Sequence, residues 1–258
     1  MTLTAPARHN PTLMRVIERV NADTELIEML RAANINAVDR MGINDHGEVH
    51  IQIVANAALR LLRLLVDAGI EPSVVTNHGL TADDAEVIVF LGACMHDLGM
   101  IVHRDEHEQY SVALAYPKLR RLMQGIYVEP AITQMTADTL HAVIAHRWDM
   151  RCLTLEAGVL KVADALDITH GRSRIPYEAG SINIHSVSVQ AIDRVAITKG
   201  NERPVRITIG LTNPAGIFQV DELLKRKLRN STLAPYVEVE ALLHEDGQTE
   251  RSFALYTL

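Results

Sequence analysis

The chain has 258 residues and a net charge of −7, and 48% of its residues are hydrophobic while only 4% are aromatic. This length allows one large domain or two small ones, and an aliphatic core with few aromatics favours helices packed on helices. The negative charge argues against nucleic acid as the main partner, because phosphate backbones bind basic surfaces. Two cysteines form no disulfide framework, and no membrane span or signal segment is expected. The composition predicts a cytoplasmic protein without a membrane partner.

Helical periodicity dominates the first part of the chain. A first helix is expected to begin at Pro11, and a second is expected over residues 23–41. A long third helix is predicted from about Asp45 to Gly69, because Asp45 and Glu48 have the spacing of a capping box. This helix begins with two histidines, so its start is also a candidate functional segment.

The segment Asp84–Met100 predicts a buried helix with polar residues at its end. Apolar residues occupy nearly every position from Val87 to Met95, and His96 and Asp97 follow directly. Gly99 is then expected to stop the helix. A carboxylate at the end of so apolar a run is costly to bury unless a metal ion, an arginine or a lysine pairs with it.

Three pairs of histidines lie on or beside predicted helices. They are His46 and His50, His103 and His107, and His141 and His146. The first two pairs have a spacing of four residues, which places His46 and His50 on one helix face, while helical spacing resumes only at His107 in the second pair. A spacing of five separates the members of the last pair. His146 stands at a helix end beside Arg147 and Trp148 and is the better candidate for a cleft. Taken alone, each histidine is also explained by a surface position or a satisfied place in the core.

The last helix of this region contains Asp164 between apolar neighbours, where Lys161 could serve as a purely structural partner three residues earlier. From Gly171 onward the pattern changes to alternating, β-branched segments interrupted by one helix, VDELLKRKLRN. We therefore divide the chain into a helical domain over residues 1–172 and a small α+β module over residues 173–258. The module could be an appended domain or a dimerisation surface.

In chain order the candidate ligands are His50, then His96 and Asp97 together, then Asp164. Their contexts are H-x-x-x-V-A, H-D-L-G and K-V-A-D-A-L-D. Over about residues 44–170 this pattern resembles the HD-domain superfamily of metal-dependent phosphohydrolases. The resemblance implies a mainly α fold, an HD-domain helical bundle, to which the C-terminal α+β module is added.

The resemblance also implies a metal centre with one or two divalent ions. Its ligands would be His50, His96, Asp97, His107, His146 and Asp164. Asp97 would be able to bridge two ions, and His103 and His141 remain alternatives to His107 and His146. Imidazole and carboxylate ligands without thiolate suit Mn, Fe, Co, Ni or Zn, and Mg also remains open.

Further residues are candidates for catalysis and phosphate binding. The segment H-G-E-V-H at 46–50 resembles the H-N-x-x-H segment of cyclic-nucleotide phosphodiesterases, which implies that His46 protonates the leaving oxygen. Asp97 is expected to hold the attacking water. Four cationic residues could stabilise charge on a phosphate: Lys161 as a catalytic residue, and Arg147, Arg172 and Arg174 as phosphate-binding residues. A surface charge or an ion pair explains each of these four equally well.

The resemblance implies hydrolysis of a phosphate mono- or diester by metal-activated water, with a nucleotide or cyclic nucleotide as the expected substrate. Two alternatives stay open: a nucleotide-sensing regulatory protein that keeps the site, and a di-iron oxygenase. A homodimer is compatible with the apolar N-terminal helices and the β-rich tail. The sequence does not identify the substrate or the metal.

Overall fold

The computed structural model describes residues 2–168, 188–244 and 251–257. The first of these ranges is a helical bundle formed by α1 (Pro11–Ala22), α2 (Thr24–Asn34), α3 (Glu48–Asp67), α4 (Ser73–His78), α5 (Ala82–Met95), α6 (His107–Met123), α7 (Ala131–Ala145) and α8 (Leu155–Ala165). A four-stranded sheet and a short helix follow, with β1 (Ile192–Lys199), β2 (Val205–Leu211), α9 (Lys225–Arg229), β3 (Val237–Leu243) and β4 (Arg251–Thr257). The predicted class, mainly helical with a small C-terminal α+β module, is confirmed.

The sheet has the strand order β1-β2-β3-β4. The outer pairs, β1 with β2 and β3 with β4, are antiparallel, whereas β2 and β3 are parallel and pair from Val205 opposite Val237 to Leu211 opposite Leu243. Parallel neighbours cannot be joined by a tight turn. The crossover between them contains α9, which the connection places against α8 of the helical bundle.

Side-chain caps define where the helices begin. The Asn10 side chain accepts a hydrogen bond from the Leu13 amide (2.9 Å), and Pro11 occupies the first turn of α1. Thr81 and Asp84 form a reciprocal capping box at the start of α5. These caps satisfy amide groups that have no partner within the helix.

Helix α5 is the centre of the bundle, as its apolar sequence predicts. Every residue from Asp84 to Met95 is buried, and the helix packs against α3, α7 and α8. Each fully buried Val, Ile, Leu or Phe side chain in such a helix contributes about 1.5–3 kcal/mol of transfer free energy. The end of α5 is therefore held rigidly, and His96 and Asp97 follow it directly.

Helix α3 begins later than the sequence predicts. Its cap is Gly47, and the capping box expected from Asp45 and Glu48 does not form. Instead, one carboxylate oxygen of Asp45 accepts hydrogen bonds from the amides of Gly47 and His50 (3.2 Å each). As a result His46 precedes the helix and does not share a helical face with His50.

The second predicted helix, over residues 23–41, is interrupted. Helix α2 passes into a π-helical turn, Ile35–Arg40. The side-chain amide of Asn36 in this wider turn donates to the carbonyl of Met100 (2.8 Å). The irregularity therefore anchors the loop that follows α5.

One apolar core runs through both parts of the chain. A single cluster of buried side chains includes residues of the helical bundle and of the sheet, and α3 contacts β1 and β2. Within the described residues, α3 is also the one helix long and apolar enough to cross a membrane, contrary to the expectation that no such run exists. More than half of its most apolar window is buried inside the fold, as in a core helix.

Candidate metal centre

Gly99 brings α6 against the end of α5. A Cβ atom at this position would lie 1.9 Å from the carbonyl oxygen of His107, and the Gly99 amide donates to the Ser111 hydroxyl (2.8 Å). The glycine was expected to stop the helix, but α5 already ends at Met95. It is required for close backbone contact, and this contact places His107 beside Asp97.

The first group of ligand atoms comes from α3, α8 and the end of α5. The Nε2 atoms of His50 and His96 are 3.1 Å apart. Oδ2 of Asp97 lies 3.3 and 3.2 Å from these two nitrogens, and Oδ1 of Asp164 lies 3.4 and 3.8 Å from them. Four atoms with lone pairs therefore converge on one point, and His50, His96 and Asp164 are a set that could hold a metal ion.

The other ring nitrogens determine which atoms face this point. Nδ1 of His96 donates to the carbonyl of Ala93 (2.9 Å), and Nδ1 of His50 donates to Oδ2 of Asp167 (2.6 Å). Because both partners only accept, the neutral rings keep their lone pairs on Nε2. Such lone pairs repel each other unless a cation lies between them. Ligand atoms about 2.1 Å from a metal are about 3.0–3.4 Å apart in octahedral or tetrahedral sites, so the donor set fits a divalent cation.

The second group lies on the other oxygen of Asp97. Its Oδ1 atom is 3.3 Å from Nε2 of His107 and 3.8 Å from Nε2 of His146. Nδ1 of His146 donates to the carbonyl of Val143 (2.5 Å), and burial lowers the pKa of His146, which keeps the ring in its neutral, metal-binding form. Nδ1 of His107 lies 3.0 Å from both the carbonyl and the guanidinium of Arg104, and pairing with the carbonyl leaves Nε2 for a cation.

The surrounding imidazoles and one ammonium hold the two carboxylates in their ionised form. Burial alone would raise the pKa of Asp97, but the nearby imidazoles of His96 and His46 hold it well below the usual range. The pKa of Asp164 is likewise low, because the ammonium of Lys227 outweighs the effect of burial. Two largely buried carboxylates that stay charged give the centre the electrostatic character of a cation site.

His46, the predicted general acid, lies beside the first group. Its ring centroid is 5.7 Å from that of His50, and its Nδ1 atom is 2.6 Å from the carbonyl of Asn44. The residue is buried although it precedes α3. Its place at the edge of the centre is set by the loop before the helix, not by helical spacing.

The second group contains both His107 and His146. The competing histidines lie elsewhere: the His103 side chain is 64% exposed, and Nε2 of His141 accepts a hydrogen bond from the amide of Leu153 (2.9 Å). Helical spacing could not separate these candidates, because the choice depends on where α6 begins and on which end of α7 faces Asp97.

The predicted cationic residues are distributed differently from the ligands. The ammonium of Lys161 is buried and donates to the carbonyl of Met150, so it neither pairs with Asp164 nor reaches the two groups through a hydrogen bond. Arg147 forms an ion pair with Asp149 (2.8 Å) near the end of α7. Two predicted phosphate-binding residues lie outside the described residues: Arg172 and Arg174.

Two residues beside the centre were missed by the sequence reasoning. Asp167 orients His50, and a signal for it was present, because it follows Asp164 by three residues in the K-V-A-D-A-L-D segment. Lys227 hydrogen-bonds Oδ2 of Asp164 from helix α9. No local pattern indicates this lysine, since it lies on a basic helix with several similar side chains.

A helical bundle that gathers four imidazoles and two largely buried carboxylates around the end of one apolar helix defines a protein with a candidate histidine–carboxylate metal centre. The model of the HD domain matches residues 49–169. The uncharacterized protein MJ1020 of Methanocaldococcus jannaschii is 44% identical over 217 residues, which is 84% of each chain. The chain belongs to the HD-domain family, whose members bind divalent metals within a superfamily of metal-dependent phosphohydrolases.

Proposed function

We propose that the protein is a metal-dependent phosphohydrolase that cleaves a phosphate mono- or diester. The observation that carries the proposal is the convergence of two imidazole nitrogens and two carboxylate oxygens on one point. The distances between the nitrogens, and from the nitrogens to the oxygens, are 3.1–3.8 Å. In the proposed site the first group would hold one ion, and the second group would hold another. A divalent cation in this position supplies Lewis acidity and makes water a nucleophile near neutral pH.

The chain's own residues would position the reactants. Asp97 has one oxygen toward each group, so its carboxylate would hold the attacking water between them. His46, beside the first group, is our candidate to protonate the leaving oxygen, and its hydrogen bond to Asn44 would keep the ring oriented. Arg147 stays a candidate for charge stabilisation near the rim.

We propose a nucleotide or cyclic nucleotide as the substrate. The support is the similarity of the H-G-E-V-H segment at 46–50 to the corresponding segment of cyclic-nucleotide phosphodiesterases.

The test combines metal analysis with a substrate panel. Protein purified without chelator is analysed for metals and assayed with Mn²⁺, Co²⁺, Ni²⁺, Zn²⁺ and Mg²⁺ against nucleotides, cyclic nucleotides and nitrophenyl phosphates. Asp97→Asn keeps the shape of the side chain but removes its charge, and it should abolish turnover while the melting temperature stays near that of the wild type. His103→Ala changes an exposed histidine and serves as the control. Full activity of Asp97→Asn with saturating metal would refute the proposal.

The same experiment separates two other functions. The four histidines and two aspartates of the centre also suit a pair of iron ions, so a di-iron oxygenase would show bound iron and substrate-dependent oxygen consumption. A regulatory protein would bind one nucleotide tightly without converting any member of the panel.

A further inference from the structure

Helix α9 brings a lysine to the centre. The ammonium of Lys227 hydrogen-bonds Oδ2 of Asp164, while Oδ1 of the same carboxylate faces the nitrogens of His50 and His96. Lys227 lies 63 residues after Asp164 and outside the segment that the HD-domain model matches. The two side chains are 17% and 12% exposed, so a small molecule in solution can reach this contact.

The position of α9 is built into the fold. Leu224 and Leu228 are buried in the apolar core. The side-chain amide of Asn230 donates to the backbone carbonyl of Trp148 (3.0 Å), and the backbone carbonyl of Asn230 accepts from the amide of Cys152 (2.9 Å). These contacts tie the end of α9 to the loop between α7 and α8. The helix therefore cannot move away from the centre without breaking both.

Two other basic side chains near the centre are engaged elsewhere. Lys161 donates to the carbonyl of Met150, and Arg147 pairs with Asp149 (2.8 Å). Within the ranges that the structure describes, Lys227 is thus the positive charge in direct contact with a carboxylate of the proposed metal centre. Lys227 is therefore positioned to interact with a ligand bound at the proposed metal centre.

An ammonium at this place suits an anionic ligand. It has three N–H donors, and Asp164 accepts from one of them. Charge-assisted hydrogen bonds to phosphate oxygens are stronger than neutral ones, and fixed cations stabilise the charge that develops during phosphoryl transfer. One carboxylate lies between the ammonium and the first ligand group, so an anion held at that group lies close to Lys227.

We infer that Lys227 binds and positions the phosphoryl group of the substrate, so that the C-terminal module completes the site. This inference rests on the proposed phosphohydrolase function. It assigns to the module a direct part in substrate binding, beyond packing or dimerisation.

The test compares Lys227→Met and Lys227→Gln in the full chain with Arg226→Met. Arg226 is the matched control, because it lies on the same helix, is 54% exposed and pairs with Glu222. The metal-loaded proteins are titrated with inorganic phosphate by calorimetry, and KM and kcat are measured with p-nitrophenyl phosphate. Metal content and melting temperature are determined for each variant.

Lys227→Met should weaken phosphate binding by about 10–100-fold, the effect of losing a charged hydrogen-bond donor, and should raise KM with metal content unchanged. Lys227→Gln keeps a neutral donor toward Asp164, so it should fold like the wild type and still bind phosphate weakly. Arg226→Met should match the wild type in both measurements.

Unchanged phosphate affinity and KM in both Lys227 variants would overturn the inference. Loss of bound metal together with phosphate affinity would also overturn it, because Lys227 would then act only as the partner of Asp164. If the wild type turns over no phosphoester but binds phosphate in a Lys227-dependent way, the inference holds and the proposed hydrolysis fails.

Discussion

The hydrogen bond between His50 and Asp167 offers a sharp test of the metal centre. Oδ2 of Asp167 lies 2.6 Å from Nδ1 of His50, and both side chains are buried. The carboxylate fixes the tautomer and orientation of the ring and increases the basicity of Nε2. Loss of such a partner typically lowers metal affinity by about 10–100-fold, which corresponds to about 1.4–2.8 kcal/mol at 1.4 kcal/mol per tenfold change.

Two substitutions separate the hydrogen bond from the charge. Asp167→Ala removes both, and we expect the full loss of affinity. Asp167→Asn keeps an oxygen that can accept from Nδ1 but no charge, so its loss should fall near tenfold, at the lower end of the about 10–100-fold range. Asp105→Ala is the control, since the side chain of Asp105 is 87% exposed.

The assay is a competition titration of the apoprotein with Zn²⁺ or Mn²⁺ against a fluorescent chelator. Melting temperatures of the apo forms are measured in parallel, so that a general loss of folding is recognised. Wild-type affinity in both Asp167 variants would refute the reasoning, because His50 would then not depend on Asp167 for its ligand geometry.

Three further substitutions test the packing and electrostatics around the site. Gly99→Ala should lower stability by at least about 1–3 kcal/mol and weaken metal binding, because the new Cβ would lie 1.9 Å from the His107 carbonyl; an unchanged melting temperature would contradict this. Burial raises the pKa of Glu156 above its ordinary 4.5, and its Oε2 atom has no hydrogen-bond partner among the described residues. Folded protein therefore holds this proton more tightly than unfolded protein. The free energy of unfolding should therefore fall as pH rises from 4.5 toward neutrality, and Glu156→Gln should remove this fall in urea titrations; parallel pH profiles would speak against it. Burial would raise the pKa of Asp23, but a backbone hydrogen bond and the ammonium of Lys118 lower it to about 2. This stabilisation is present above pH 4 and is lost as pH falls toward 2, so Lys118→Met should move acid unfolding, followed by circular dichroism, to higher pH; an unmoved midpoint would count against the ion pair.

Local patterns in the sequence were sufficient for the class of fold. The continuous apolar run of α5 predicts a fully buried helix because each of its faces must be covered, and the structure buries every residue from Asp84 to Met95. The change to alternating segments after Gly171 predicts the C-terminal strands, because a period of two residues suits a sheet with one covered face.

Other features could not be derived from neighbouring residues. Gly99 is a residue type that commonly ends a helix, but a glycine is needed at this position because the backbone of α6 packs directly against it. Lys161 has the spacing of a partner for Asp164, yet the helix carries its ammonium to Met150. In both cases the deciding contact comes from a different element, whose position no local pattern contains.

The sequence by itself determined the helical class, the order of the candidate ligands and the type of donor atoms. These follow from periodicity, burial and side-chain chemistry, all of which act over a few residues. Only the tertiary structure decided how the candidate ligands are grouped around Asp97 and that Asp167 and Lys227 adjoin them. His50 and Asp167 are 117 residues apart, and Asp164 and Lys227 are 63 apart. Such pairs meet because the packing of whole helices brings them together, and that packing is a property of the complete chain.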